Sequence, residues 1–298
     1  MKNKNLKEDS MIKNLIRDYP VDALEYLKPS VIEKYGVPTK VTFHIQEKKK
    51  YSHVEENKIS DLVILYEFKD KKKVVLSLIE HWSNKNKFDI HRFANYLINL
   101  DFQFPDYEKI PIALFTDQKE WHKEPQREIK IGCLEETYLS FKYELVKLKD
   151  DEAERYKTTK NKFIAVLRTA MNYGELSKVL FAIEAITLYS RIEGNLKTKI
   201  RNLEILDYYL DVTEEEKIVL LDKLKSNEDT HMLTETLIEQ GIEQGIEQGI
   251  EQGVDLGRVR EKTGVVQKMA EKNYTLEQIG EVTDLSIEKI KEILKYNQ

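Results

Sequence analysis

Two acidic residues interrupt segments that are otherwise strongly apolar. Asp61 opens the run DLVILYEF (61–68), and Glu80 lies near the end of the run VVLSLIEHW (74–82). Magnesium prefers carboxylate, backbone carbonyl and water oxygens as ligands. Hydrolysis of a phosphodiester needs such a cation, because it neutralises charge on the phosphate and supplies an activated water. Two carboxylates on adjacent strands are the minimal protein contribution to that chemistry.

The segments that carry these residues predict a β-hairpin. Both runs are nearly continuous in apolar residues, and the charged segment KDKKK separates them. The two arms of the hairpin would bring Asp61 and Glu80 within reach of one metal ion. Strand alternation would place Glu80 and Trp82 on one face of the sheet. Ile79 and His81 would lie on the other face, and the backbone carbonyl of Ile79 is a further candidate metal ligand.

The flanking segments complete a mixed α/β core in residues 1–150. One or two short helices are expected in residues 1–35, and another from Phe88 to Tyr96, where side chains recur at three- and four-residue spacing. Three further strands are predicted, one before the hairpin and two after it: VTFHIQE (41–47), IPIALFTD (110–117) and TYLSFKYELVKL (137–148). We therefore expect a mixed sheet flanked by helices.

Three motifs in this region together resemble a known family. ISD (59–61), LIEHWS (78–83) and RFANY (92–96) are similar to the motifs of the Rpn/YhgA-like transposase-associated family of PD-(D/E)XK nucleases. In that family an aspartate precedes Glu-His-Gln-Ser, and arginine and tyrosine follow on the next helix. The repeats and the helix pair near the C terminus also resemble the family's C-terminal region.

The resemblance implies a restriction-endonuclease-like core and a metal-dependent DNA endonuclease, linked to recombination or mobile elements. It implies that Asp61 and Glu80 bind Mg²⁺ or Mn²⁺. It also implies that Arg92 and Tyr96 support the site or contact the phosphate. DNA would be the substrate.

One residue departs from the family pattern. Trp82 stands where PD-(D/E)XK nucleases have lysine and where this family often has glutamine. An indole has one N–H donor and no acceptor, so it cannot orient water or stabilise charge as lysine does. Lys85, Lys87 or Arg92 could supply that charge. Alternatively, the domain has lost its cutting activity and acts by binding a partner or a second copy.

Structural interpretations of the same residues also stay open. Arg92 could pair with Asp89 or Glu80, and Trp82 and Tyr96 could be ordinary core aromatics. The net charge of −5, from 48 basic and 53 acidic residues, gives no overall electrostatic reason to expect nucleic acid. Runs of lysine nevertheless bracket the acidic pair, and such runs are often simply solvated.

The whole-chain composition favours a reducing, cytoplasmic setting. Cys133 is the single cysteine and cannot form an intramolecular disulfide. No stretch approaches the roughly 18 uncharged apolar residues of a membrane helix. The N-terminal segment lacks the apolar core of a signal peptide. We therefore expect no membrane partner.

The second half of the chain predicts helices and a repeat. Residues 151–230 read as an all-α region, and Ile-Glu-Gln-Gly then occurs four times between Ile238 and Gly253. On a helix of 3.6 residues per turn, a period of four gives a stripe that drifts by about 40° per repeat. We expect residues 231–257 to form a helix that pairs with a second copy, because its glycines allow close approach. A flexible linker is the alternative, since each glycine costs a helix about 1 kcal/mol.

Residues 258–298 predict a small helix-turn-helix-like unit. Two short helices flank TDLS (283–286), and Ser286 is placed to cap the second. Basic and acidic residues are nearly balanced here, which favours an oligomerisation or capping unit. A DNA-binding regulator that uses this helix pair remains a further alternative.

Overall fold

The computed structural model describes residues 2–44, 62–69, 73–82 and 84–295, with the backbone alone for Lys2–Leu6, Lys73–His81, Lys295 and parts of the long helix that carries the repeats. Its contacts divide the chain into two compact units, Met1–Thr234 and Glu235–Gln298. The chain is mixed α/β, as the sequence predicts.

The first unit begins with three helices, α1 (Lys2–Asp18), α2 (Pro20–Leu27) and α3 (Pro29–Tyr35). Proline opens both α2 and α3, where its fixed φ suits the first helical turn and its missing N–H costs nothing. Ile12, Leu15 and Ile16 of α1 are fully buried. Their spacing gives α1 one apolar face for the core despite its many charged residues.

The strands in chain order are β1 (Lys40–His44), β2 (Leu62–Glu67), β3 (Lys73–Trp82), β4 (Glu108–Phe115), β5 (Glu128–Cys133), β6 (Glu136–Lys142) and β7 (Glu144–Lys147). Five of them form a mixed sheet in the order β1-β2-β3-β4-β7. The first three strands pair antiparallel, which confirms the predicted hairpin, and β3, β4 and β7 run parallel.

Helix α4 (Ile90–Gln103) forms the crossover between the parallel strands β3 and β4. Such a connection must cross one face of the sheet, so α4 packs there. Asp89 caps the helix, because its carboxylate accepts hydrogen bonds from the backbone N–H groups of His91 and Arg92. Phe93 and Ala94 of α4 are buried in an aromatic cluster with Phe115 at the end of β4.

The predicted strand 137–148 is wrong as a single strand. The segment breaks at Tyr143 into β6, which pairs only with β5 in a separate two-stranded sheet, and β7 of the main sheet. The Tyr143 ring lies 5.4 Å from that of Phe93, and its hydroxyl donates to the carbonyl of Gln126 at 3.1 Å. Burial of this tyrosine turns the chain from one sheet to the other, while the apolar alternation runs on unchanged.

Four helices follow within the first unit: α5 (Lys162–Leu167), α6 (Lys178–Arg191), α7 (Leu196–Leu210) and α8 (Glu214–Lys225). Side-chain caps open each of them, among them a capping box between Thr213 and Glu216 at the start of α8. Irregular and 3₁₀ segments separate the sheet from α5, so this region is less continuously helical than the sequence predicts.

Helix α9 (His231–Glu271) contains the repeats and continues beyond them, and α10 (Leu276–Thr283) and α11 (Ile287–Lys295) follow. Residues 231–257 lie within α9. In the second unit Val266, Ile279 and Ile290 form a small core between the three helices. The hydroxyl of Ser286 accepts from the Lys289 backbone N–H, which is the predicted cap of α11. No helix in the described part of the chain combines the length and apolarity that a membrane crossing requires.

Candidate active site

Three parallel strands end in one row at the same edge of the sheet. Trp82 ends β3 and pairs with Phe115 at the end of β4, which in turn pairs with Lys147 at the end of β7. The backbone N–H of Thr116 donates to the Trp82 carbonyl at 3.3 Å and extends this link by one residue. Ligands of open α/β sheets bind beyond the carboxyl ends of the strands. A ligand of this sheet would therefore bind at this edge.

Strand β3 carries a β-bulge just before its end. Between the pairs Ile79–Ala113 and Trp82–Phe115, β3 advances three residues while β4 advances two. Glu80 and the residue after it therefore lie in the bulge. Bulges are common next to active sites, where they change the direction of a side chain. The alternation expected from the sequence is wrong here, since the pairing puts Trp82 in phase with Ile79.

Trp82 is a core residue. It is 7% exposed, and its ring meets that of Phe88 edge-on, with 5.7 Å between the ring centroids. Phe93 and Phe115 belong to the same buried cluster. In the described part of the chain its indole N–H has no hydrogen-bond partner. This side chain therefore contributes packing and cannot take the place of a catalytic lysine.

Arg92 and Tyr96 lie one turn apart on α4, against the same cluster. The Arg92 guanidinium carbon lies 5.6 Å from the centroid of the Trp82 ring, close enough for a cation–π interaction. Tyr96 is half-buried and packs against the aromatic cluster. The structure thus brings both α4 residues to the side of the sheet where Trp82 is buried.

Two lysines bring positive charge to the same edge, and sequence reasoning found only one of them. Lys85 and Lys147 lie over the ring of Trp121, with 5.6 Å and 4.6 Å from each Nζ to the centroid. Lys147 is only 8% exposed and pairs with Asp150 at 2.7 Å. The sequence signal that could have identified Lys147 is its position at the end of the strand ELVK. Lys87, the other lysine considered from the sequence, is exposed.

A buried carboxylate from α1 also reaches this edge. Glu8 is 3% exposed. Its Oε1 accepts from the hydroxyls of Thr116 and Tyr209, each at 2.9 Å, and its Oε2 accepts from Tyr208 at 2.8 Å. Burial, together with the Glu8 carboxylate, raises the pKa of both tyrosines well above the usual value. Glu8 therefore ties α1 and α7 to the end of β4.

Sequence reasoning missed Glu8, because it lies among charged residues in KNKNLKEDS. The only signal was its register on α1, four residues before the buried Ile12. Such spacing places a residue on the core face of a helix whatever its polarity.

Replacing Glu8 by alanine should remove the carboxylate to which three buried or half-buried hydroxyls donate. Because hydrogen bonds to charged groups contribute about 1.5–3 kcal/mol each, we expect a loss of at least about 3 kcal/mol in the free energy of unfolding. Urea unfolding followed by circular dichroism would measure it. Glu33→Ala, at an exposed position of α3, is the matched control and should change stability by less than about 0.5 kcal/mol. Equal effects of the two substitutions would contradict this role for Glu8.

The predicted metal ligands are only partly within the structure. Asp61 lies outside the described residues, and Ile79 and Glu80 are placed by their backbone alone. Among the side chains that the structure describes, no group of three or more histidine, cysteine, aspartate or glutamate residues could hold a metal. Metal binding by Asp61, Glu80 and the Ile79 carbonyl therefore stays a prediction.

Comparison with known proteins yields no match to a protein-family model, to a curated protein or to a solved structure. The function must therefore be inferred from the residues and their geometry.

Proposed function

We propose that the first unit is a metal-dependent DNA endonuclease of the PD-(D/E)XK type, which hydrolyses phosphodiester bonds in recombination or the movement of mobile elements. The observation that carries this proposal is the bulge at Glu80, beside the shared carboxyl ends of β3 and β4. Arg92 and Lys147 lie at the same edge. The mixed sheet flanked by helices is also the architecture that the family resemblance implies.

The donor set suits Mg²⁺ or Mn²⁺. The carboxylates of Asp61 and Glu80 and the Ile79 carbonyl are all oxygen ligands, which these cations prefer. A bound cation would polarise the phosphodiester and lower the pKa of a water nucleophile. Glu8 has a different role, because its two oxygens already accept three hydrogen bonds from hydroxyls. It positions α1 at the strand ends.

The other residues at this edge supply positive charge or hold α4 in place. The guanidinium of Arg92 has a planar fork of donors that matches phosphate oxygens, and stacking on Trp82 restricts its orientation. Lys85 adds positive charge at the same edge, whereas the buried Lys147 is paired with Asp150. Arg92 and Lys85 would give the edge a local attraction for a phosphate backbone that the acidic chain as a whole lacks. Tyr96 packs beside them and supports α4.

Cleavage of supercoiled plasmid DNA tests the proposal. The full-length protein should nick or linearise the plasmid with Mg²⁺ or Mn²⁺, and excess chelator should abolish the reaction, because the chemistry depends on the cation. Ca²⁺ in place of Mg²⁺ serves as a control for salt effects. Absence of cleavage by folded protein with every metal, or cleavage that survives chelation, would overturn it.

A second candidate is a binding protein with a nuclease-like core. The observation that favours it is the burial of Trp82 in the aromatic cluster, at the position where a catalytic lysine is expected. Such a protein would act through a partner or a second copy rather than by cutting. Retention of DNA by the folded protein without any cleavage, in the same assay, would support this candidate.

A further inference from the structure

Helix α9 exposes a row of large apolar side chains in the second unit. Ile242, Ile246 and Ile250 are 59%, 58% and 62% exposed. They follow one another at intervals of four residues, so they form a continuous row rather than scattered positions. Contiguous exposed apolar surface of this kind marks an interaction site.

The glycines of the repeat form a groove beside this row. At 100° per residue, Gly241 lies about 60° from Ile238 around the helix axis, Glu239 lies about 100° away on the other side of the row, and Gln240 falls on the opposite face. A Cβ atom added at Gly241 would have no neighbour within 4 Å. Each repeat therefore sets an isoleucine ridge next to a glycine groove on one face of α9.

Ridge and groove lie on the same face, so the surface is complementary to itself. Rows at intervals of four are the ridges that interlock when two helices cross at about −50°, with about 8–10 Å between their axes. Contact between identical patches is the property of an interface with two-fold symmetry. A second copy of this chain is thus the occupant that the pattern fits.

The charges of the repeat agree with crossing rather than with side-by-side pairing along the whole helix. Residues 235–257 contain only acidic charged residues, one in each repeat. Like charges in adjacent rows of two parallel helices would repel along their length. A crossing limits the contact to a short length of each helix, so the glutamates that border the isoleucine row on its other side approach those of the second helix only near the crossing point.

We propose that two chains form a dimer in which the α9 helices cross near Ile246, with the isoleucine ridge of each helix in the glycine groove of the other. This dimer is independent of the nuclease proposal, because molecular mass reports on one and plasmid cleavage on the other.

Analytical ultracentrifugation of the full-length protein over a concentration series tests the dimer. The wild type should approach twice the 35.2 kDa mass of one chain. Gly245→Leu with Gly249→Leu fills the groove and should weaken dimerisation at least about tenfold, because the added side chains occupy the space that the opposing isoleucines need. Gln244→Leu with Gln248→Leu adds the same side chains on the opposite face and should leave the mass unchanged. Circular dichroism would verify that each variant keeps its helices.

A disulfide cross-link gives a second measurement that needs no groove-filling variant. In a Cys133→Ser background, Ile246→Cys should cross-link two chains on oxidation, because the two-fold axis brings position 246 of both helices together. Ile238→Cys, about 12 Å along the axis from the crossing point, should not. A wild type that stays monomeric, a dimer that the glycine substitutions leave intact, or equal cross-linking at both positions would overturn the proposal.

Discussion

Replacing Trp82 by alanine is expected to lower the free energy of unfolding by about 3–5 kcal/mol, the range for truncation of a large buried aromatic residue. Trp82 is 7% exposed and contacts Phe88 edge-on, so its removal leaves a cavity inside the aromatic cluster. Arg92 would also lose the ring on which it stacks. Guanidinium unfolding followed by the fluorescence of Trp121, the other tryptophan of the chain, would measure the loss.

Trp82→Phe is the matched control. It keeps an aromatic ring in the cluster and removes an indole N–H that has no hydrogen-bond partner among the described residues. An unsatisfied buried donor costs about 1–3 kcal/mol, so its removal should offset much of the lost volume. We expect a change below about 1.5 kcal/mol. A Trp82→Ala protein as stable as the Trp82→Phe protein would show that this position is not part of the core.

Much of the fold could be predicted from the sequence, because its signals are local. The hairpin of β2 and β3 follows from two apolar runs that flank a charged turn, and β4 follows from a third. The repeat keeps its period of four throughout, and it lies within the helix α9. Each of these elements can be predicted from the spacing of residues that are close in sequence.

Features set by packing between distant segments could not be predicted in this way. The bulge at Glu80 depends on the register between β3 and β4, which the sequence of β3 alone does not contain. The break at Tyr143 depends on the aromatic cluster that receives its ring. The same holds for the separate sheet of β5 and β6.

The residues of the candidate site show the same difference between local signals and tertiary packing. Arg92 and Tyr96 are singled out by their motif on α4, and both lie on the side of the sheet where Trp82 is buried. Glu8 and Lys147 reach the edge only through tertiary contacts, with α7 and with Trp121. A charged residue in a polar helix or at a strand end carries no local sign of such burial.

The second large effect concerns catalysis. In the proposed nuclease, replacing Glu80 or Asp61 by alanine should lower the rate of plasmid nicking at least about 100-fold, because each substitution would remove an anionic metal ligand worth several kcal/mol to the metal-assisted step. Neither substitution should lower the free energy of unfolding as much as Trp82→Ala does. A carboxylate that binds a cation contributes to the metal site, whereas Trp82 contributes to the packing of the core. Glu175→Ala, at an exposed position of the first unit, is the matched control for loss of one negative charge.

The most direct test of metal binding by Asp61 and Glu80 is the rate at which supercoiled plasmid is nicked in Mn²⁺. The wild type, Glu80→Ala and Glu175→Ala are compared at equal concentration, and circular dichroism verifies that all three are equally folded. We expect the wild type and Glu175→Ala to cut at the same rate and Glu80→Ala to lose nearly all activity. Cleavage by Glu80→Ala at the wild-type rate would contradict the assignment of Glu80 to the metal centre.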